Sequence, residues 1–508
     1  CWGIDHGDQK AHDLETVRAL VLDYLKANIL NAARDEMVWD DHAAADRLAM
    51  LCYLFVHHLS DVVSDAELEI FMTAVTGHVD QLREFFNDGK WIDSNHGLFH
   101  ALALVDVGLA LGAHPVAGQA METGITYLGQ VIDALVDPVS GVSNEQSVAY
   151  HSINLASLRL VRDFSRRHGL SLEGKLNELC GKMVEFNLAI RGGNGSVPAL
   201  GDSPYGASLS GNAVLPQEGE RLTAHVRYVT SAGSEGEPFP DVVLYPSVGL
   251  AVFREGEVLR GNEQVTRGYF TFAESRGHHG HFDALAFSLH LCGTDVLIDS
   301  GGPFAYGDPL RFKYFMAPRA HNTIVVDGSD HSGGGELVEH RRLPCGSLVI
   351  AQHTAFSGVT LTRGILHLQG NHFVVIDVSN PCEEEHRFDV LWHLPADAVL
   401  NRSSWDEGII ETGRSSGATD CRLRFGGTDI NVVTGDHGNV PAGWVTSAPG
   451  RRIEAPVVVS STTTDRLFAV TLISPGVENA PELDIEASSA RIGVSDGSSI
   501  EIAAEGST

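Results

Sequence analysis

The sequence is short of positive charge. Its 508 residues hold 35 Lys and Arg against 66 Asp and Glu, a formal net charge of −31. So acidic a chain does not bind nucleic acid by bulk electrostatics. Nor does it attract any other polyanion in bulk, so an acidic substrate would need a locally positive site. The shortage is most marked between Lys90 and Arg159, where neither cation occurs. Cysteine is scarce as well. Cys1, Cys52, Cys180, Cys292, Cys345, Cys382 and Cys421 are scattered without a CxxC pair, which argues against a zinc ribbon or a disulfide scaffold. The odd number leaves at least one without an intramolecular partner. Long apolar runs are missing too. The richest stretch, Ala101 to Gly118, is broken by Asp106, so no membrane span is expected. No N-terminal signal segment is visible in a chain that begins at Cys1, which leaves the compartment open.

What is present reads as a folded, multidomain chain. Apolar residues make up 43% and charged residues 20%, and the length predicts two or three domains. Before about residue 200 the apolar spacing is helical: Leu68, Phe71, Val75, Val79, Leu82 and Phe86 recur at steps of three and four. Ser64 and Glu67 form a capping box ahead of that helix, and Asn87-Asp88-Gly89 ends it. Further helices are predicted at about 13–30, 43–60, 97–112, 116–136, 146–166 and 172–190. After residue 245 the period changes. Gly249–Phe253, Tyr269–Ala273, Ala284–Leu291, Thr323–Val326, Leu348–Ala351 and Phe373–Val378 read as short strands between glycine-containing turns, as in an antiparallel sandwich. Residues 202–245, rich in Gly, Ser and Pro, read as a linker or wrapping segment. The expected fold class is α+β and multidomain, with a helical domain over 1–201, the linker over 202–245 and a β-sandwich over 246–508.

The helical half carries a weak repeat. Polar loops open helices at Trp39–His42, Asp93–His96 and Ser143–Glu145. A period of about 50 residues with two helices per unit suggests stacked helical hairpins. If these close into a toroid, His42, Asn95, His96, Glu145 and Tyr150 collect on one rim; a plain helical bundle with ordinary caps is the alternative.

Histidine is abundant, with 25 copies, and one cluster stands out. Gly277-His278-His279-Gly280-His281-Phe282-Asp283 places three histidines and an aspartate at the entry to a strand. In extended chain His279 and His281 share a face, and imidazoles with a carboxylate are an ordinary zinc set; a structural or surface role is the competing reading. Asp299 follows the apolar run Leu297-Ile298, and His321 precedes another strand, so His281, Asp299 and His321 form a candidate three-ligand metal site. A two-residue turn at Gly293-Thr294 pairs Leu291 with Val296 and Ser288 with Asp299. For the ligands to meet, the loop before Ala284 must fold back or the hairpin must bulge. In the helical half, Asn95-His96 at a helix start is more often a cap than a site, and only the shared rim raises it. Tyr150, a lone tyrosine on a helix, is more often packing than a catalyst, and it too is raised only by the rim.

Together these stretches resemble the heparinase II/III-like polysaccharide lyases. The strongest likeness lies in His279–Ser288, Asp299–Gly302 and Ala320–Gly328. Trp39–Arg47, Asn95-His96, Glu145–His151 and Pro198–Ser203 also resemble family motifs. The resemblance implies an incomplete (α/α) toroid followed by an antiparallel β-sandwich, with the active site in the cleft between them. It implies β-elimination on a uronic-acid polysaccharide. Asn95 matches the carboxylate neutraliser, with His96 beside it; Tyr150 matches the base and acid tyrosine; His279 matches the second catalytic histidine. Tyr314 is the candidate for the family's sandwich-domain tyrosine, with Tyr306 as competitor. His42, Glu145, Arg311 and Arg319 are expected to bind substrate, the arginines supplying the positive charge that the helical rim lacks. His281, Asp299 and His321 match the ligands of one structural divalent ion, zinc first. The expected partner is an acidic polysaccharide, glycosaminoglycan (heparan sulfate or hyaluronan) before alginate. The oligomeric state is open, a homodimer included. The resemblance favours a periplasmic or secreted protein, with the cytoplasm left open. Two other readings compete: a glycoside hydrolase using carboxylates such as Asp41 and Glu145, and a carbohydrate-binding relative without turnover.

Overall fold

The computed structural model describes residues 10–503 except 31–34, 113, 260–263, 276–278, 402–407, 414–418, 426–428, 439–440, 477–480, 487 and 494–498. Cys1, Gly277 and His278 of the sequence reading therefore lie outside the described residues. The fold is α+β and multidomain, helical in its N-terminal part and built of antiparallel sheets after it. Two compact units emerge: residues 1–137 with 163–172, and residues 138–162 with 173–508.

The helices follow the apolar periodicity closely. They are α1 (Lys10–Tyr24), α2 (Asp41–Leu54), α3 (Asp65–Asn87), α4 (Asn95–Leu111), α5 (Pro115–Leu135), α6 (Val148–His168) and α7 (Glu173–Ile190). The expected single helices at 13–30 and 43–60 each finish in a π-helical turn, Leu25–Ile29 and Phe55–Leu59. Both halves of the Ser64–Glu67 capping box are made, and Phe71, Val75, Val79 and Leu82 form the buried face of α3. Polar residues also start the helices of the repeat. The Asp40 carboxylate accepts from Ala43 N, and the Ser94 hydroxyl accepts from His96 N. These caps satisfy amides that have no partner within the helix.

The segment 202–245 is more structured than a linker. It carries helix α8 (Ala224–Thr230) and strand β1 (Val242–Tyr245). Strand β1 opens a five-stranded antiparallel sheet with β2 (Leu250–Glu255), β3 (Thr266–Thr271), β4 (Phe287–Leu291) and β5 (Thr294–Leu297), in chain order. There follow β6 (Ile324–Val326), β7 (Gly335–Leu343), β8 (Gly346–Phe356), β9 (Val359–Leu368), β10 (His372–Ser379) and β11 (His386–His393). Strands β7 to β10 form a meander within an eight-stranded sheet, while β6 pairs with β11 in a four-stranded one. One apolar core joins these sheets: Phe253, Phe270 and Phe287 of the first meet Ile365 and Phe373 of the second, with Phe388 and Trp392 of the third. The Phe287 and Phe373 rings lie 5.5 Å apart. Aromatic side chains of this size dominate the apolar area that burial removes from water.

The β4–β5 hairpin differs from its expected register. The turn is Cys292-Gly293, one residue earlier than predicted, and pairs Leu291 with Thr294. Both turn residues have positive φ, the geometry whose twist suits a two-residue hairpin. A bulge between Leu289 and His290 then pairs Leu289 with Leu297. The hairpin thus bulges, one of the two ways by which Asp299 was expected to reach its partners.

Candidate functional site

In the β-rich unit, Asp202 is the centre around which polar side chains gather. It sits in the stretch Ala199–Ser203, between α7 and the first sheet in sequence. Its side chain is fully buried. One oxygen accepts from His279 Nδ1 at 2.9 Å and from Arg311 Nη2 at 2.8 Å; the other lies 3.1 Å from His281 Nε2. Burial alone would push this carboxyl up. Hydrogen bonds from the two imidazoles and the charge of Arg311 outweigh it and hold the carboxyl well below the usual carboxylate range. Backbone bonds set the approach. Asp202 N donates to His279 O at 2.8 Å, and Gly302 N donates to Ser203 O at 3.1 Å. At Gly201, φ is +55°, and a Cβ would come within 2.3 Å of His279 O and 2.5 Å of Gln146 O. At Gly302 a Cβ would fall 2.7 Å from Asp202 Oδ1. Only glycine fits at either place.

The same stretch fixes the start of α6. The Ser203 hydroxyl accepts from Ala149 N at 3.1 Å and lies 3.0 Å from the Ser147 hydroxyl. Tyr150, one residue further on, stacks on His279 with ring centroids 3.4 Å apart and planes inclined by 12°. Its hydroxyl lies 2.6 Å from that of Tyr306, which is 3.4 Å from His279 Nδ1. The Arg311 guanidinium sits 5.0 Å from the Tyr306 ring centroid, a cation–π distance. Desolvation pushes the Tyr150 hydroxyl up, as do the Asp202 and Glu145 carboxylates, against the lowering influence of Tyr306 and Arg311. Desolvation and the bond to Tyr150 push Tyr306 up further. Both phenols are therefore protonated at neutral pH.

Of the expected residues, Tyr150, His279 and Arg311 come together here, and Glu145 stands beside them. Glu145 is buried, accepts from Asn154 Nδ2 at 2.7 Å, and lies 3.8 Å from His279 Nε2. Tyr314 does not join the group, whereas its competitor Tyr306 does. Tyr314 is fully buried, with its hydroxyl 3.3 Å from Ser300 and bonded to the backbone of Trp444. Its position follows from the π-helical turn Arg311–Phe315, which turns Arg311 toward Asp202 and Tyr314 into an apolar cluster with Phe304 and Phe315. Arg319 does not join the group either; it pairs with Asp330 at 2.6 Å. Sequence reasoning places Asp202 in the Pro198–Ser203 motif and assigns it no role. Nothing in the local sequence singles it out, because its partners lie 77 to 109 residues away.

His281, Asp299 and His321 converge as the sequence reading expected. They are buried, and their ligand atoms all lie within 4.8 Å of one another. His321 Nδ1 is 2.7 Å from Asp299 Oδ2, and Asp299 Oδ1 accepts from Gly301 N at 2.9 Å. His281 Nδ1 and His321 Nε2 are buried without a hydrogen-bond partner. A buried imidazole nitrogen without a partner is costly unless something binds it. Two such nitrogens beside a carboxylate suit a divalent ion of the zinc type.

The helical unit holds a second polar group around His96. Its Nδ1 is 2.6 Å from Asp41 Oδ2, and His100 Nε2 is 3.2 Å from the same oxygen. Trp91 stacks on the ring at 4.7 Å, and His42 lies 3.9 Å away. Asn95 is the first residue of α4 and 7% exposed, with its Oδ1 3.4 Å from the Ser94 hydroxyl. Burial lowers the His42 imidazole, and the charge of His96 adds to this.

A family model described as heparinase II/III-like, C-terminal, matches residues 238–492. The chain belongs to the heparinase II/III-like family. It therefore stands with the polysaccharide lyases. No curated protein matches it in sequence. Among solved structures, a heparan sulfate lyase from Pedobacter heparinus is similar at 18% identity with a TM-score of 0.68, covering 99% of this chain and 80% of that one. A heparinase III is similar at 17% identity with a TM-score of 0.75, covering 96% and 79%. At such identity these likenesses speak to the heparinase-type fold. Among the described residues, no helix is long and apolar enough to cross a membrane.

Proposed function

We propose that this protein cleaves a uronic-acid-containing polysaccharide by β-elimination, with a glycosaminoglycan of the heparan sulfate or hyaluronan type favoured over alginate. The observation that carries the reading is the contact of Tyr150, His279 and Tyr306: two protonated phenols and an imidazole held by a carboxylate. Elimination needs a base for the proton on C5 and an acid for the oxygen leaving C4, and these groups are of the right kinds. The electrons of the C5–H bond form the C4–C5 double bond as the C4–O bond breaks. Tyr150 delivers a proton to the leaving oxygen; its raised pKa keeps that proton available. His279 takes the C5 proton of one epimer. For the other epimer Tyr150 gives its own proton to the leaving oxygen and takes the C5 proton in its place, with Tyr306 steadying the phenol oxygen by its hydroxyl.

Asn95 is assigned the substrate carboxyl. Its amide donates to the carboxylate most strongly as the enolate-like charge builds, an oxyanion-hole role. His96 and His42 stand beside it as polar contacts. Arg311 carries positive charge at the Tyr306 ring but is committed to Asp202, so it orders the site before it binds substrate. When bound at His281, Asp299 and His321, a divalent ion would supply a fixed positive charge that holds the segment after His279.

The architecture that goes with this function is an (α/α) toroid over 1–201, a wrapping segment over 202–245 and a β-sandwich over 246–508. Location in the periplasm or outside the cell belongs to the same reading. A hydrolase pair of Asp41 and Glu145 is disfavoured: Asp41 is engaged by His96 and His100, and buried Glu145 by Asn154. The test is a panel of heparan sulfate, hyaluronan and alginate, followed by ultraviolet absorbance of the unsaturated product. Rising absorbance with one polymer is expected; cleavage without it would make the protein a hydrolase. No cleavage of any uronate polymer would sink the reading.

A further inference from the structure

Asp202 meets two histidines through different ring nitrogens. His279 presents Nδ1 and His281 presents Nε2, at 2.9 and 3.1 Å. An ionised carboxylate only accepts hydrogen bonds, so the nitrogen facing it carries the proton. In a neutral imidazole the opposite nitrogen is then left with a lone pair. We propose that Asp202 is a positioning residue that fixes the tautomers of both histidines at once. His279 keeps its proton on Nδ1 and works through Nε2; His281 keeps its proton on Nε2 and offers Nδ1 to a metal ion. The role of His279 rests on the lyase reading above; that of His281 does not.

Three further observations point the same way. His281 Nδ1 is buried without a partner, as a nitrogen kept for a ligand would be. His279 Nε2 lies 3.8 Å from Glu145, beyond hydrogen-bond reach, so no acceptor there competes for the proton. The carboxylate is held at both oxygens: Arg311 donates to Oδ2 at 2.8 Å, and His281 Nε2 lies 3.1 Å from Oδ1. An ion pair that served stability alone would be complete with Arg311. The convergence of residues 279 and 281 by opposite nitrogens is additional, and it links the metal loop to the base through one side chain.

Asp202→Asn tests the idea with little change of shape. The amide has one accepting oxygen and a nitrogen that only donates, so one histidine must turn its lone pair inward and lose its working nitrogen. On the uronate polymer that the wild type cleaves, kcat is expected to fall by about 10²-fold or more, with KM within about threefold. Zinc affinity of the purified chain, measured by competition with a chelator, is expected to fall by about 10- to 100-fold. Wild-type kcat and zinc affinity would overturn the proposal, as would a rise in KM alone. If the variant does not fold, a crystal structure of the zinc-loaded wild type decides: His281 is expected to bind through Nδ1, and binding through Nε2 would overturn it. Should the wild type cleave no uronate polymer, the lyase reading fails, while zinc affinity and the coordinating nitrogen still judge Asp202.

Discussion

The hydroxyls of Tyr150 and Tyr306 lie 2.6 Å apart, although 156 residues separate them in the chain. One comes from the start of α6 and the other from the loop after Asp299, and the His279 ring lies against the first and near the second. A phenol so placed is a proton donor with a neighbour able to steady it once the proton has gone.

Removing that oxygen separates the tyrosines by role. Tyr150→Phe is expected to lower turnover by about 10²-fold or more with folding intact, and Tyr306→Phe to lower it by about 10-fold or more. Tyr314→Phe loses its bonds to Ser300 and Trp444, costing about 1 kcal/mol of stability, and keeps activity within a few-fold. Steady-state rates with thermal melts check all three. A Tyr314→Phe enzyme as impaired as Tyr150→Phe would contradict the assignment of Tyr306.

Asn95→Ala tests charge neutralisation in the helical unit. Its amide matters most when the substrate carboxyl gathers charge, so kcat should fall further than KM rises. Initial rates over a range of polymer concentrations separate the two. Unchanged kcat with weaker binding would leave Asn95 a binding residue only.

The metal site makes a prediction of stability as well as activity. Elemental analysis of the purified protein is expected to find one divalent ion per chain, zinc first. His281→Ala should lose that ion, and with it both thermal stability and activity; a chelator should do the same slowly. Active protein without bound metal would remove the ion from the account.

Acid should destabilise the protein well above the carboxylate range. Burial lowers His151 to about 4, against a weaker opposing bond to Met183 O, and burial lowers His353 to about 3. Because the folded values lie below the ordinary 6.5, these groups stabilise the fold fully above that pH. The contribution is lost as pH falls from about 6.5 toward the folded values. For His151 the loss amounts to roughly 3 kcal/mol. Denaturant unfolding at pH values from 7.5 to 4.5 should show stability level down to about 6.5 and falling below it; a flat profile would mean that these imidazoles are not held neutral.

Local pattern decided much of this protein in the sequence itself. The helix starts at Asp41, Asn95 and Val148 follow from polar caps ahead of apolar repeats of period 3.6, and the strands after residue 245 from short β-branched runs between glycines. His281, Asp299 and His321 were legible as a candidate ligand set because imidazoles and a carboxylate beside apolar strands are an ordinary zinc donor set. What sequence left open were long-range choices that depend on fractions of a turn. The hairpin register hung on whether Cys292 would take positive φ. Tyr306 and Tyr314 were equal in kind, and only the π-helical turn at Arg311–Phe315 sends one hydroxyl inward to Trp444 and leaves the other beside Tyr150. Asp202 is the clearest case. A lone aspartate after glycine carries no pattern, and its importance comes from three partners, 77 to 109 residues away in sequence, whose donors only the folded chain brings to one buried carboxylate.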